Sequence, residues 1–152
     1  MIWFFCALAV LGIFYLGLRE HKKQRLADEA FSQAFAEGYR RFSNLIATQN
    51  LSIPDPQTEG YSPVRGEIVF GFSKVLRDHD RDIEGRLVIT SKALVFEGET
   101  RSDRLVYSSL SHIEAKRDGV EVRKRNGPRR AFRTGDPQLL ALIVAAFHQG
   151  QL

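Results

Sequence analysis

From Glu67 to Arg133 the chain alternates apolar and polar positions at the period of a β-strand. The clearest stretch is GRLVITSKALVFEG, residues 85–98. Leu87 and Ile89 alternate with Arg86, Val88 and Thr90. Ser91-Lys92 breaks the run, and Leu94 and Phe96 resume it. Alternation around a polar break predicts a half-buried hairpin. Upstream, Ile68, Phe70 and Phe72 alternate in the same way, and Gly71 predicts a bulge or a close approach. The charged run 78–82 predicts a loop. Downstream, residues 104–107, 110–115, 120–125 and 130–133 predict four more short strands. Asp118-Gly119 and Asn126-Gly127 are turn signals between them. Asp136-Pro137 predicts a helix start, with Asp as N-cap and Pro at the first helical position. Leu140, Ile143, Val144 and Phe147 then share one face, and Gly150 ends the helix. The expected fold is mainly β: a barrel of about seven antiparallel strands closed by a C-terminal helix.

The first half of the chain changes register. Residues 1–18 are apolar throughout, with no charged side chain. As a helix they would be roughly 27 Å long, close to the hydrocarbon thickness. Ten of them are Ile, Leu, Phe or Val, which favours insertion by roughly 3–6 kcal/mol. Trp3 and Tyr15 lie near the two ends. No positive segment precedes the run, and no small-residue cleavage site follows it, so the expectation is an uncleaved anchor rather than a signal peptide. Arg19, Lys22, Lys23 and Arg25 all follow the run. The positive-inside rule then places the N-terminus outside and residues 19–152 in the cytoplasm, behind the inner membrane.

Residues 19–50 read as an amphipathic juxtamembrane helix. Phe31, Phe35, Phe42, Leu45 and Ile46 recur at three- and four-residue spacing, and Gly38 weakens the helix by about 1 kcal/mol relative to Ala. The stripe over residues 26–46 is either a homo-oligomer seam or a face that packs on its own domain or the membrane surface. Residues 51–65 hold Pro54, Pro56, Gly60 and Pro63 and predict a linker or an extended cover strand. The compact domain is expected over 66–150.

Composition adds one feature. The formal net charge is +4, and a single cysteine, Cys6, excludes an internal disulfide framework. Lys116, Arg117, Arg123, Lys124, Arg125, Arg129, Arg130 and Arg133 stand against only Asp118 and Glu121, a local excess greater than that of the whole chain. If Val122 faces Phe132 across a three-residue loop, Asn126-Gly127-Pro128, then Lys124 opposes Arg130 and Arg125 opposes Arg129. Like charges opposed on a hairpin cost up to about 1 kcal/mol per pair. An acidic surface would relieve them, which makes Arg123, Lys124, Arg125, Arg129 and Arg130 the candidate docking tip. The other reading is a solvated hairpin tip. No aromatic residue alternates with these arginines, so nucleic acid is not the expected partner.

Catalytic signatures do not emerge. His21, His79, His112 and His148 have no metal-ligand spacing with one another or with Cys6. The 78–82 run lacks the glycine and terminal carboxylate of a calcium loop. Gly66, Gly71 and Gly85 are too far apart to cradle a phosphate. Ser111 and His112 are strand neighbours and point to opposite faces. The expectation is a protein without enzymatic activity, cofactor or metal.

Gly66-Glu67, the strand at 85–90, Leu94-Val95-Phe96 and Leu110-Ser111-His112-Ile113 resemble the GRAM and bacterial pleckstrin-homology-like domains, over about residues 64–149. The resemblance implies a non-enzymatic barrel that binds lipid headgroups, peptides or proteins near membranes. The basic hairpin of its phosphoinositide-binding members is loosely met by Lys74, Arg77, Arg81 and Arg86, which Asp78, Asp80, Asp82 and Glu84 interleave. Together these readings describe a single-pass membrane protein whose cytoplasmic module docks an acidic protein or anionic lipid headgroups. The alternative is a structural accessory subunit of a larger membrane complex.

Overall fold

The computed structural model describes all residues except 1, 53, 58, 75, 79–82 and 152, and the side chains of 2–18, Leu76 and Arg77 are also outside the described set. The apolar segment 1–18 expected as an anchor therefore falls on residues whose side chains are not described. Among the described residues no helix is long and apolar enough to cross a membrane. The charged loop expected at 78–82 is described only at Asp78.

The chain forms two compact units, Met1–Gln33 and Ala34–Leu152. The first is helical, within α1, Ile2–Ala47. Its residues 19–26 are all exposed. Arg25 pairs with Glu29 at 3.0 Å and Lys23 with Glu20 at 3.4 Å, on the helical four- and three-residue spacings.

The second unit is mainly β. Its strands are β1 (Val69–Phe72), β2 (Leu76–Asp78), β3 (Ile83–Thr90), β4 (Ala93–Gly98), β5 (Ser102–Val106), β6 (Leu110–Lys116), β7 (Gly119–Lys124) and β8 (Arg129–Arg133), followed by helix α2 (Pro137–Gln149). All pairings are antiparallel. β1 and β2 follow one another along the same neighbour, β3, so they act as one interrupted strand. The order β5-β4-β3-β2-β8-β7-β6 makes two halves, β1 to β5 and β6 to β8. They are joined where β2 meets β8 at Arg77↔Arg133 and Asp78↔Phe132.

The β3–β4 turn is Ser91-Lys92, as the pattern predicts. Thr90 Oγ1 accepts from the Ala93 amide at 2.9 Å, which fixes the turn from within. Gly71 is also where the pattern placed it. The β1–β3 register slips between Val69 and Gly71, and a Cβ at Gly71 would lie 3.0 Å from Leu142 of α2. Asp136 caps α2 by accepting from the Gln138 and Leu139 amides.

Two expectations of half-burial are corrected. Residues 87–90 and 93–96 are buried without alternation. Leu87, Ile89, Leu94 and Phe96 face a common core, where Phe96 meets Phe132 at 5.3 Å between ring centroids. Val88, Ala93 and Val95 form a second cluster with Tyr61, Val69 and Phe72. The segment read as a linker or an extended cover strand supplies Tyr61 and so covers the outer face of the hairpin. Likewise, α2 is buried all round from Leu140 to Phe147 rather than on one face. It packs on β6 and β3 and also receives residues 34–46 of α1. Gln138 donates to the Ala34 carbonyl at 3.0 Å and accepts from Arg41 at 2.9 Å, and the Tyr39 hydroxyl lies 2.7 Å from His148 Nδ1. Gly38 permits this approach, because a Cβ there would lie 2.9 Å from Ala141 Cβ. The glycine that weakens the helix in isolation is what lets it sit against α2.

Candidate functional site

The basic residues expected at one hairpin tip fall into two environments. In the β7–β8 hairpin Val120 pairs with Phe132, Val122 with Arg130, and Arg123 with Arg129. Val120, Val122 and Phe132 share the buried face, as expected. The pairing itself is displaced by two residues. Residues 125–128 connect the two strands, in place of the three-residue loop, so Lys124 does not oppose Arg130 and Arg125 does not oppose Arg129.

Arg130 is the principal correction. It lies on the face of Phe132, two residues along the strand, and its side chain is 7% exposed. It pairs there with Asp78 of β2 and, at 3.1 Å, with Asp103 of β5. Three strands thus meet at one buried cation, and Arg130 is not available to an outside partner. Removing one member of such a group strands the others in low dielectric, which is why it is held together.

The opposite face of the β6–β8 half is the basic one. It carries Lys116 from β6, Arg123 from β7, and Arg129 and Arg133 from β8, all exposed. Glu121 sits among them with its side chain 14% exposed, 2.9 Å from Lys116, 3.6 Å from Arg129 and 3.9 Å from Arg123. The hydrogen bond from Lys116 comes first in holding its carboxyl below the usual range, with Arg129 and Arg123 adding to it against some burial. Lys116 is correspondingly raised, chiefly by Glu121 and then by Glu114. The like-charge pair Arg123↔Arg129 is therefore bridged by the protein's own carboxylate. Lys124 and Arg125 lie beyond it, and among the described residues neither they nor Arg133 has an ion-pair partner. A groove of about 230 Å³ runs over Ala131 between Lys116, Glu121, Arg129 and Arg133. The five-residue tip thus becomes a face: Arg123, Arg125 and Arg129 stay, Arg130 leaves, Lys124 falls half-buried on the strand face of Val120 and Val122, and Lys116 and Arg133 join.

The covered half holds its charge inside. Glu67, whose side chain is 0% exposed, accepts from Arg104 and Thr90 at 2.5 Å, the Val64 amide at 3.0 Å and the Tyr61 hydroxyl at 3.4 Å. Burial alone would raise its carboxyl. The hydrogen bonds, led by Arg104, outweigh burial and hold it below its ordinary value of 4.5. Burial likewise raises the Tyr61 phenol, and it raises Tyr107 strongly. Arg86 reaches across the same outer face to Glu97 at 2.8 Å and to the Glu59 carbonyl at 2.6 Å, pinning the cover segment.

The orientation residues Arg19, Lys22, Lys23 and Arg25 are exposed on α1. Among the described residues no group of His, Cys, Asp and Glu could hold a metal ion. No protein-family model matches the chain, and no curated protein proves similar to it.

Proposed function

We propose that this chain is a membrane-anchored, non-catalytic interaction module. Residues 1–18 anchor it, the positive flank Arg19, Lys22, Lys23 and Arg25 keeps the second unit cytoplasmic, and that unit is a pleckstrin-homology-like barrel. The barrel reading rests on the strand order, in which the first interrupted strand joins the last, and on the closing helix α2. The observation that carries the docking role is the outer face of β6–β8. Lys116, Arg123, Arg129 and Arg133 face outward against Glu114 and Glu121, with exposed Arg125 at the tip. Near anionic lipid each such cation is worth about 1 kcal/mol. Anionic headgroups are the favoured surface, because the anchor holds the module beside them. An acidic protein would use the same face. Self-association through 26–46 is not the favoured arrangement, since residues 34–46 are engaged with α2 of the same chain.

The test uses the full chain, because deleting residues 34–50 would strip α2 of its cover. The protein, with Cys6→Ser and a fluorophore at Asn126→Cys, is placed in nanodiscs of zwitterionic lipid or of lipid containing an anionic fraction. A quencher is carried on the headgroups. The proposal expects quenching that rises with anionic lipid and falls as salt is raised. Quenching that is the same in both discs rejects lipid docking. A salt-sensitive complex with an acidic protein in the absence of anionic lipid would assign the face to that partner instead.

A further inference from the structure

A second hollow, of about 420 Å³, opens where β1 gives way to β2 and β8 gives way to α2. Lys74 and Arg133 line it from the two sides, Thr134 and Asp136 from the turn, and Phe72 and Leu139 from its apolar wall. Register explains the meeting. Arg77 pairs with Arg133, so residues preceding Arg77 run alongside those following Arg133. Its volume is within the range of small-ligand pockets, at the lower end.

The polar groups are unequally committed. Asp136 Oδ1 is turned to the first amides of α2, accepting from Gln138 and Leu139. Thr134 Oγ1 accepts from the Asp136 amide at 3.3 Å, which leaves its hydroxyl proton to give. Lys74 and Arg133 have no ion-pair partner among the described residues. Two free cations and a hydroxyl donor against one capping carboxylate leave a single excess positive charge.

We infer that this hollow is a binding site for one monoanionic phosphodiester, that of a glycerophospholipid headgroup with no cationic group of its own. The charge excess matches one negative charge and not the two of a phosphomonoester. Arg133 supplies the fork for two oxygens, Lys74 a point charge and Thr134 a hydrogen bond. Phe72 and Leu139 take the first carbons beyond the phosphate, which a free phosphate lacks. The inference deepens the proposed docking role, since Arg133 belongs to both the basic face and the hollow, but it concerns one bound molecule and not a charged surface.

The experiment titrates the full chain, in neutral detergent micelles, with dihexanoyl phosphatidylglycerol, dihexanoyl phosphatidylcholine, glycerol 3-phosphate and inorganic phosphate, by calorimetry. Saturable binding of the phosphatidylglycerol is expected. Lys74→Gln, Arg133→Gln and Thr134→Val should each weaken it, the charge removals by about tenfold. Arg123→Gln with Arg125→Gln should leave it unchanged, although the same pair should lose the salt-sensitive approach to anionic nanodiscs. Inorganic phosphate or glycerol 3-phosphate binding as tightly as the lipid would overturn the lipid assignment. Equal binding of phosphatidylcholine would overturn the charge argument. If Lys74→Gln and Arg133→Gln unfold at the same urea concentration as the parent and bind equally well, the site is wrong. No binding of phosphatidylglycerol to a chain whose tip still approaches anionic nanodiscs would overturn the hollow and leave the docking face standing.

Discussion

The β3–β4 and β7–β8 hairpins belong to one antiparallel sheet and share strand periodicity, yet they handle charge in opposite ways. On β3–β4 both faces are covered. Tyr61 and its neighbours close the outer face, and the cations there, Arg86 and Arg104, are tied to Glu97, Glu59 and Glu67. On β7–β8 only the inner face is covered. The cation that turns inward, Arg130, is paired through its Nη2 with Asp78 and Asp103, while those that turn outward share Glu121 or have no ion-pair partner among the described residues. Whether an arginine here is held by the fold or left open to solvent is decided by the face it occupies and by what covers that face. Basic density along the chain does not decide it.

The largest test of this contrast is Arg130→Met. It leaves Asp78 buried without its cation, and the expected cost is about 3–5 kcal/mol in urea unfolding. A loss no greater than that of Arg129→Met would show that Arg130 does not hold the two halves of the sheet together.

Glu67→Gln comes next. It weakens charge-assisted bonds to Arg104, Thr90 and the Val64 amide, and hydrogen bonds to charged groups are worth about 1.5–3 kcal/mol. The pH dependence has a definite sign. The folded carboxyl titrates below 4.5 and the unfolded one near it, so the unfolded chain binds more protons in that window. Its stabilisation is complete above the unfolded value and is lost as pH falls through the folded one. The difference in stability between parent and Glu67→Gln should therefore shrink as pH falls below 4.5. A difference that stays constant down to the acid transition would contradict the network.

Gly38→Leu should cost about 1–3 kcal/mol, because the new side chain must displace Ala141 and Gln138 of α2. Hydrogen exchange should then speed up at Ala141 and Ala145. Unchanged protection would mean that α2 does not depend on its α1 cover. The smallest effect belongs to Glu121→Gln. It removes the bridge between Arg123 and Arg129, so stability should drop slightly at low salt and recover as salt is raised. No salt dependence would show that the bridge contributes nothing.

These contrasts were unequally legible in the sequence. Turns and caps are local chemistry, so Ser91-Lys92, Gly71 and Asp136 could be placed from neighbouring residues alone. The inward direction of Arg130 was also legible, because strand alternation from Phe132 puts Arg130 on the same face. Basic density masked that signal. Its partners were not legible, since Asp78 and Asp103 approach it only after β2, β5 and β8 assemble. Nor was the cover of β3–β4. The proline-rich segment carries one buried aromatic, Tyr61, and nothing in its pattern shows where that ring lands. Lys116 and Arg133 were visible as charges, but their alliance with Arg123 and Arg129 depends on a register displaced by two residues.

On the proposed function, the uncovered basic face meets anionic headgroups while the covered one serves the fold. The most direct measurement repeats the nanodisc quenching at residue 126 with two variants side by side. One carries Arg123→Gln, Arg125→Gln and Arg129→Gln, and the other carries Arg86→Gln. The triple variant should lose the salt-sensitive approach to anionic lipid, and Arg86→Gln should retain it. Equal loss in both, or retention in both, would contradict it.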